Sequence, residues 1–287
     1  MNAEGPVRYE LHEGSVARIT LARPGSRNAQ DLGLLYALNH AFDRAAADDA
    51  VNCIVLAGDG PHFSSGHDLR DRSDVGEFET VGTWCGFALP GAEGFMAREE
   101  EIYLGFCRRW RDIPKPTIAA VHGKVIAGGL MLAWICDLII ASDDAEFCDP
   151  VVGMGVNGVE WFAHPWELGP RKAKELLWTS DWWSAAEAHR LGMVNHVVPR
   201  SELLDFTLAL AGRIASRPSF ALKLVKESVN QSVDAQGQRA ALLASFSLHQ
   251  LAHSHNQQRF GAPIDPSGVP AKLRATPDST VHPGSAS

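Results

Sequence analysis

Two glycine-bearing turns, each after an apolar run, carry the clearest chemical content of this chain. The first follows Ile54-Val55-Leu56-Ala57-Gly58 and reads Phe63-Ser64-Ser65-Gly66-His67-Asp68-Leu69. The second follows Thr117-Ile118-Ala119-Ala120-Val121-His122-Gly123 and reads Ala127-Gly128-Gly129-Leu130. A glycine in a sharp turn leaves the neighbouring backbone N–H groups uncovered. Two such turns brought together offer a preorganised pair of donors, the device that holds a developing oxyanion in acyl-transfer or enolate chemistry. Each turn also opens a helical pattern, so the helix dipole adds positive potential where that oxyanion would sit.

The elements that must position these turns read as alternating strands and helices. Val16–Ala22 alternates like a strand, and Arg23–Ala29 is rich in turn residues. From Asp31 to Ala47, residues Leu34, Leu35, Leu38, Ala41, Phe42 and Ala45 recur at helical spacing. Asn52–Ala57, Thr117–Val121 and Asp137–Ala141 read as strands, with a short helix over Gly129–Ile135. Arg70–Ala97 has no clean period, and a loop of that length is functional or mobile. Glu99–Asp112 is predicted helical and is stopped by Pro114 and Pro116. Helices follow over Arg171–Trp178 and Ser184–Arg190, the latter with a Ser184/Glu187 capping box and Gly192 past its end. Val194–Val198 reads as a last strand. Glu202–Arg217, Ser219–Val233 and Gln236–His255 are then helical. The succession predicts stacked β and α layers, with the terminal helices available to pack on a neighbour. Residues 262–287, rich in Pro, Ser, Thr and Gly, are expected to be flexible.

Bulk properties exclude several classes. A net charge of −8 without a Lys/Arg cluster argues against nucleic acid as a partner. No apolar run reaches membrane-spanning length, and the first residues do not read as a signal peptide. The 5 cysteines (Cys53, Cys85, Cys107, Cys136, Cys148) are scattered, which suits reduced thiols and a cytoplasmic location.

Taken in order from about Val16 to Asn256, four blocks resemble the enoyl-CoA hydratase/isomerase (crotonase) superfamily. They are Arg23-Pro24 with Arg27-Asn28-Ala29; Phe63–Leu69; Lys115–Gly123 with Ala127-Gly128-Gly129 and Cys136–Ala141; and Ser184–Ala188 with Leu191–Asn195 and Val197-Val198-Pro199. The resemblance implies an α/β spiral of repeated ββα units over residues 1–200, a helical trimerisation region over 201–260, and a flexible tail over 261–287. It implies an acyl-CoA substrate with no separate cofactor, and a homo-oligomer, trimer or dimer of trimers. The thioester carbonyl would be held by the N–H groups of His67 and Gly128. The turn of Arg27, Asn28 and Ala29, with Ser65, Asp68 and Leu69, would lie along the CoA.

One departure bears on the chemistry. Hydratases of this family use two glutamates, and alignment of the second glycine turn puts Met131 at the first. Alignment of Phe147-Cys148-Asp149-Pro150-Val151 puts Val151 at the second. Neither side chain transfers a proton, so both would line the acyl pocket instead. Losing two positioned acids without replacement would cost on the order of 10⁴–10⁸-fold. Glu160, in the loop Asn157–Trp161, is the leading replacement, because isomerases and hydrolases of the superfamily carry an acid in the corresponding loop. The competing reading is a solvated first-turn glutamate. Asp149 is the second candidate, against a turn or cap role before Pro150. His164 would orient Glu160 or be structural, and the His67 imidazole would act or merely line the pocket. Asp68 is read as fixing its turn and His122 as satisfying a backbone group.

His249, His253 and His255 lie on one helical face at i, i+4 spacing, which could bind metal, but no carboxylate or cysteine completes a site, and no metal is expected. The aromatic residues Phe78, Trp84, Phe87 and Phe95, with Met96, would line the acyl pocket and Trp161, Phe162 and Trp166 close it, or all would be core. The leading function is hydration of 2-enoyl-CoA thioesters. The alternatives are an isomerase, decarboxylase or thioester hydrolase using Glu160 or Asp149, and an acyl-CoA-binding protein without turnover.

Overall fold

The computed structural model describes residues 5–12 and 15–270. In chain order the strands are β1 (Val7–His12), β2 (Val16–Leu21), β3 (Cys53–Gly58), β4 (Thr117–Val121), β5 (Lys124–Ile126), β6 (Leu138–Ser142), β7 (Glu146–Cys148), β8 (Trp183–Ser184) and β9 (His196–Val198). The helices are α1 (Leu32–Ala47), α2 (Ala92–Glu99), α3 (Phe106–Arg111), α4 (Gly128–Trp134), α5 (His164–Leu168), α6 (Pro170–Thr179), α7 (Ala185–Leu191), α8 (Leu203–Ala215), α9 (Ser219–Ala235) and α10 (Gln238–Phe260).

The larger sheet runs β1-β2-β3-β4-β6-β9, antiparallel at β1/β2 and parallel thereafter. Alternate residues of its strands feed two separate cores, as the period of two requires. Ile54, Leu56, Ala119 and Val121 join the main core with Leu34, Leu38 and Phe42 of α1 and with Phe106 and Trp110 of α3. Cys53, Val55, Ile118 and Ala120 face Leu203, Ala211 and Ala215 of α8 on the other side. Helices on both faces explain why β3 and β4 read as unbroken apolar runs. The smaller sheet, β5-β7-β8, was not expected from the sequence. Its strands hold three, three and two residues, too few to show a period.

The predicted helices form with ends shifted by a few residues. Asp31 caps α1 by accepting from Leu34 N, and Ser184 caps α7 by accepting from Glu187 N. Such caps contribute about 1 kcal/mol each. The aperiodic stretch ends in α2, which continues through a π-helical turn (Glu100–Gly105) into α3. Glu101 in that turn accepts from Val81 N and Gly82 N, both at 2.8 Å, and from the Tyr36 hydroxyl, so it pins the long loop to the helix. All five cysteines are free thiols. Among the described residues no helix is long and apolar enough to cross a membrane.

The start of the expected tail is packed. Residues 261–270 turn back so that Asp265 N donates to Met154 O at 2.8 Å, and Val269 is buried. These few groups bond to the chain, which overcomes their low apolar content. Residues 271–287 of that expectation lie outside the described residues. On α9 only Lys226 is buried, while Phe220, Leu224, Val225 and Val229 are exposed.

Candidate active site

The two glycine turns meet. Ile126 N donates to Ser64 O at 3.0 Å, and Ser64 pairs with Val125 as an isolated bridge. A side chain on Gly66, whose φ is +85°, would come within 2.8 Å of Ile126 O and 3.2 Å of Gly128 N. A side chain on Gly128 would come within 2.6 Å of the His67 ring and 2.7 Å of Gln30 Oε1. Only glycine fits at Gly66, where the obstacle is backbone; at Gly128 a side chain fits only if the His67 ring and Gln30 move aside.

Backbone pairing aims both amides. Gln30 N donates to Gly66 O at 2.8 Å and Asp68 N donates to Gln30 O at 3.0 Å. The N–H of the intervening His67 therefore faces away from Gln30. Gly128 is the first residue of α4, so its N–H has no acceptor one turn back. Ala127, the residue before it, has φ +48°, an uncommon conformation for a side-chain-bearing residue and of the kind held at functional sites.

The His67 ring lies over this junction. It stacks on Tyr103 with centroids 3.8 Å apart, and its Nε2 is 3.0 Å from Glu160 Oε2. Its Nδ1 is buried, with no hydrogen-bond partner among the described residues. Glu160 is 3% exposed, which rules out the solvated reading. It lies in the loop before α5, across which Phe162 packs on His164 at 4.7 Å between centroids. Tyr103 comes from the π-helical turn, a feature common at functional sites. Burial, then the charges of Glu160 and Glu99, push its phenol well above the usual range, so it stays neutral.

Asp149 does not stand free as an acid. Its Oδ1 accepts from Val151 N at 3.2 Å, and its Oδ2 from Val159 N at 3.1 Å and His164 Nε2 at 2.9 Å. It thus clamps the segment after β7 to the Glu160 loop, the turn role weighed for it. His164 orients Asp149 rather than Glu160. Met131 and Val151 are both buried in the main core.

The turn before α1 is built from consecutive left-handed residues, Arg27 at φ +56° and Asn28 at φ +52°. Asn28 is fully buried and donates to the carbonyls of Asp59, His62 and Phe63, so its side chain shapes the turn and cannot reach a ligand. Ala29 O accepts from the Arg23 guanidinium, and Ser65 N donates to Arg27 O at 3.0 Å, tying this turn to the first glycine turn. Asp68 accepts from Arg70 N at 3.1 Å and pairs with Arg23 at 3.3 Å, the expected turn-fixing role. Leu69 beside it is exposed. His122 bonds Gly60 O at 3.1 Å, as expected. Trp161 is core, while Trp84 and Trp166 are exposed.

A carboxylate distant in sequence completes the histidine pair. His249 and His253 are buried beside Glu99 of α2, and potential ligand atoms of the three lie within 4.8 Å of one another. His255 is exposed and takes no part. Burial alone would lower the His249 imidazole, but the Glu99 carboxylate, then Glu160, lift it to about 9. Burial alone would raise Glu99, but His249 and His253 hold it well below the usual carboxylate range. Sequence reading missed Glu99 and Tyr103. The signal for Glu99 was three successive glutamates, Glu99 to Glu101, which point to different sides of a helix and so cannot all face solvent where that helix is packed.

The sequence profile of a family described as enoyl-CoA hydratase/isomerase matches residues 12–86 and 92–263. A Mycobacterium tuberculosis protein carrying an enoyl-CoA hydratase name, EchA13, is 50% identical over 87% of this chain and 81% of its own length. A crotonyl-CoA hydratase from Syntrophomonas wolfei is 32% identical over 79% of this chain and 83% of its own. The crystal structure of a probable enoyl-CoA hydratase from Mycobacterium thermoresistibile superposes with a TM-score of 0.83 at 46% identity, covering 90% of this chain and 98% of that one.

Proposed function

Because this chain belongs to the enoyl-CoA hydratase/isomerase family, we propose that it adds water across 2-enoyl-CoA thioesters, with the His67–Glu160 pair as its acid and base. The observation that carries the reading is the coincidence of two features at one place. A side chain on Gly66 would come within 3.2 Å of Gly128 N and one on Gly128 within 2.6 Å of the His67 ring, so the two glycine turns adjoin, and an imidazole–carboxylate pair at 3.0 Å lies over them.

In this reading the thioester oxygen rests against the two amides, and the CoA runs along the turn of Arg27–Ala29 with Ser65, Asp68 and Leu69. Each such donor contributes about 2.7–4 kcal/mol to an enolate-like transition state. An ionised Glu160 accepts the hydrogen of Nε2 and leaves the lone pair on Nδ1. Nδ1 takes a proton from water as the water oxygen bonds to the β-carbon, and the double-bond electrons move to the thioester as an enolate. The imidazolium, stabilised by Glu160, then returns the proton to the α-carbon. The sum is one water added. Tyr103 holds the ring in plane by stacking. Met131 and Val151 line the acyl pocket in place of the family's two glutamates, and Asp149 positions the loop.

A second reading is favoured by that same replacement. One acid–base pair suffices to move a double bond, by removing a proton from one carbon and returning it to another, so isomerisation of 3-enoyl-CoA competes with hydration. For assembly, the exposed apolar residues of α9, with Leu248 and Leu251 of α10, support a homo-oligomer, trimer or dimer of trimers.

The test is a product-resolved screen of 2-enoyl- and 3-enoyl-CoAs with wild-type protein and His67→Ala. That variant keeps the amide and loses the imidazole, so kcat should fall with thioester binding retained. Turnover of His67→Ala at the wild-type rate would overturn the reading.

A further inference from the structure

The buried cluster behind Glu160 has an arrangement that the acid–base pair does not explain. His249 Nδ1 lies 2.8 Å from Gly158 O, and His253 Nδ1 lies 2.6 Å from Pro263 O. A carbonyl only accepts, so each Nδ1 carries the hydrogen. In the neutral rings both Nε2 atoms are then lone pairs, and they point at each other across 2.7 Å. Glu99 closes the set, with Oε2 at 3.3 Å from His249 Nε2 and Oε1 at 3.3 Å from His253 Nε2. Glu160 Oε1 stands 3.7 Å from His249 Nε2. Two imidazole nitrogens and two carboxylate oxygens converge here on a point that a proton or a metal cation can occupy.

We infer that Glu99, His249 and His253 form a buried divalent transition-metal site, with Zn²⁺ the ion best suited to two imidazoles and a carboxylate. Four observations converge on it. Imidazole Nδ1–H groups donating to backbone carbonyls are the supports that orient metal-bound histidines. Gln250 Nε2 donates to Glu99 Oε2 at 2.6 Å and fixes the carboxylate in the same way. Ligands at about 2.0–2.1 Å from a tetrahedral ion stand roughly 3.3 Å apart, the spacing of both Glu99–histidine contacts. The histidine–histidine contact would widen by about 0.6 Å, a small rotation of two side chains held at one edge. Finally, Glu99 and Glu160 together bring two carboxyl groups into the interior, and one divalent ion with neutral imidazoles would balance the pair as carboxylates.

The ion's site borders an open cavity at His253, about 550 Å³ in volume and lined also by Phe95, Arg98, Gln257 and Pro263. Bound in its site, the ion would tie α2 to α10 and brace the loop of Gly158 and Glu160. It is a fastening of the C-terminal helix to the active-site wall, and no step of the proposed reaction passes through it.

The site is tested on the full chain, purified without a histidine tag. Metal analysis of wild type should find about one zinc per chain after exhaustive dialysis. Protein stripped with a chelator should take up one Co²⁺, give a visible d–d band, and lose that band on adding Zn²⁺. His253→Asn should weaken uptake by more than the roughly 10–100-fold that losing a supporting hydrogen bond costs. Glu99→Gln serves if that variant does not fold, and His255→Asn should match wild type. His67→Ala should bind metal as wild type does, which separates this site from the catalytic reading. Wild-type protein that neither carries metal nor binds Co²⁺ or Zn²⁺ at micromolar concentration would overturn the inference and leave a shared proton between the rings. So would unchanged uptake in a folded His253→Asn.

Discussion

Replacing Glu160 by Gln removes one negative charge and leaves the side-chain volume unchanged. In the native site Oε2 is 3.0 Å from His67 Nε2 and the whole carboxyl is buried. The amide cannot stabilise an imidazolium, and it can turn its NH₂ towards Nε2, which places the ring hydrogen on Nδ1. The base then points the wrong way. A positioned base contributes roughly 10²–10⁴-fold, so kcat should fall by that factor, about 2.7–5.5 kcal/mol of transition-state free energy. The two amide donors are untouched, so the dissociation constant of a saturated acyl-CoA should stay within about threefold of wild type. No cavity opens, and stability should change by less than about 2 kcal/mol. The assay pairs steady-state turnover of crotonyl-CoA with calorimetric binding of butyryl-CoA. A Glu160→Gln enzyme turning over at a third of the wild-type rate or better would refute the assignment. A variant that loses binding as fully as turnover would show that Glu160 shapes the thioester site instead of moving protons.

Three further outcomes follow from the same geometry. Gly128→Ala drives a methyl into the His67 ring and Gln30, at 2.6 and 2.7 Å, so both acyl-CoA binding and turnover should be lost while circular dichroism reports a folded chain. Asp149→Ala strands Val151 N, Val159 N and His164 without their acceptor, and should lower the free energy of unfolding in urea by about 3 kcal/mol or more. Burial, then the Arg200 charge, lower the His122 imidazole from 6.5 to about 4. The unfolded chain therefore binds the proton first: stability is full above about pH 6.5 and declines as pH falls towards 4, by at most about 3 kcal/mol. His122→Asn should flatten that part of a denaturation-versus-pH curve, and an unchanged slope would count against it.

Local patterns were legible where one residue type repeats on one face. The Leu34–Ala45 stripe of α1 and the capped start of α7 needed only spacing and hydrogen-bonding chemistry. The two turns were legible for a similar reason, since glycine stands where a side chain would collide, at Gly66 with Ile126 O of β5 and at Gly128 with the His67 and Gln30 side chains. Pairings that depend on distant parts of the chain were not. His67 meets Glu160 across 93 residues, and Gln250 meets Glu99 across 151. The π-helical turn that presents Tyr103 adds one residue to a helical repeat, a change no apolar pattern records. Asp149 illustrates the remaining ambiguity. A carboxylate before a proline reads equally as acid or clamp until its three donors are seen.

The central claim is that this site moves a proton at the α-carbon of a thioester held by the His67 and Gly128 amides. It is tested most directly by incubating the protein with crotonyl-CoA in D₂O and reading the product by mass and by NMR. Wild type should give a 3-hydroxyacyl-CoA carrying one deuteron on C2, and His67→Ala at least about a hundredfold less of it. Crotonyl-CoA recovered unchanged and free of deuterium, from wild-type protein that still binds acyl-CoA, would contradict it.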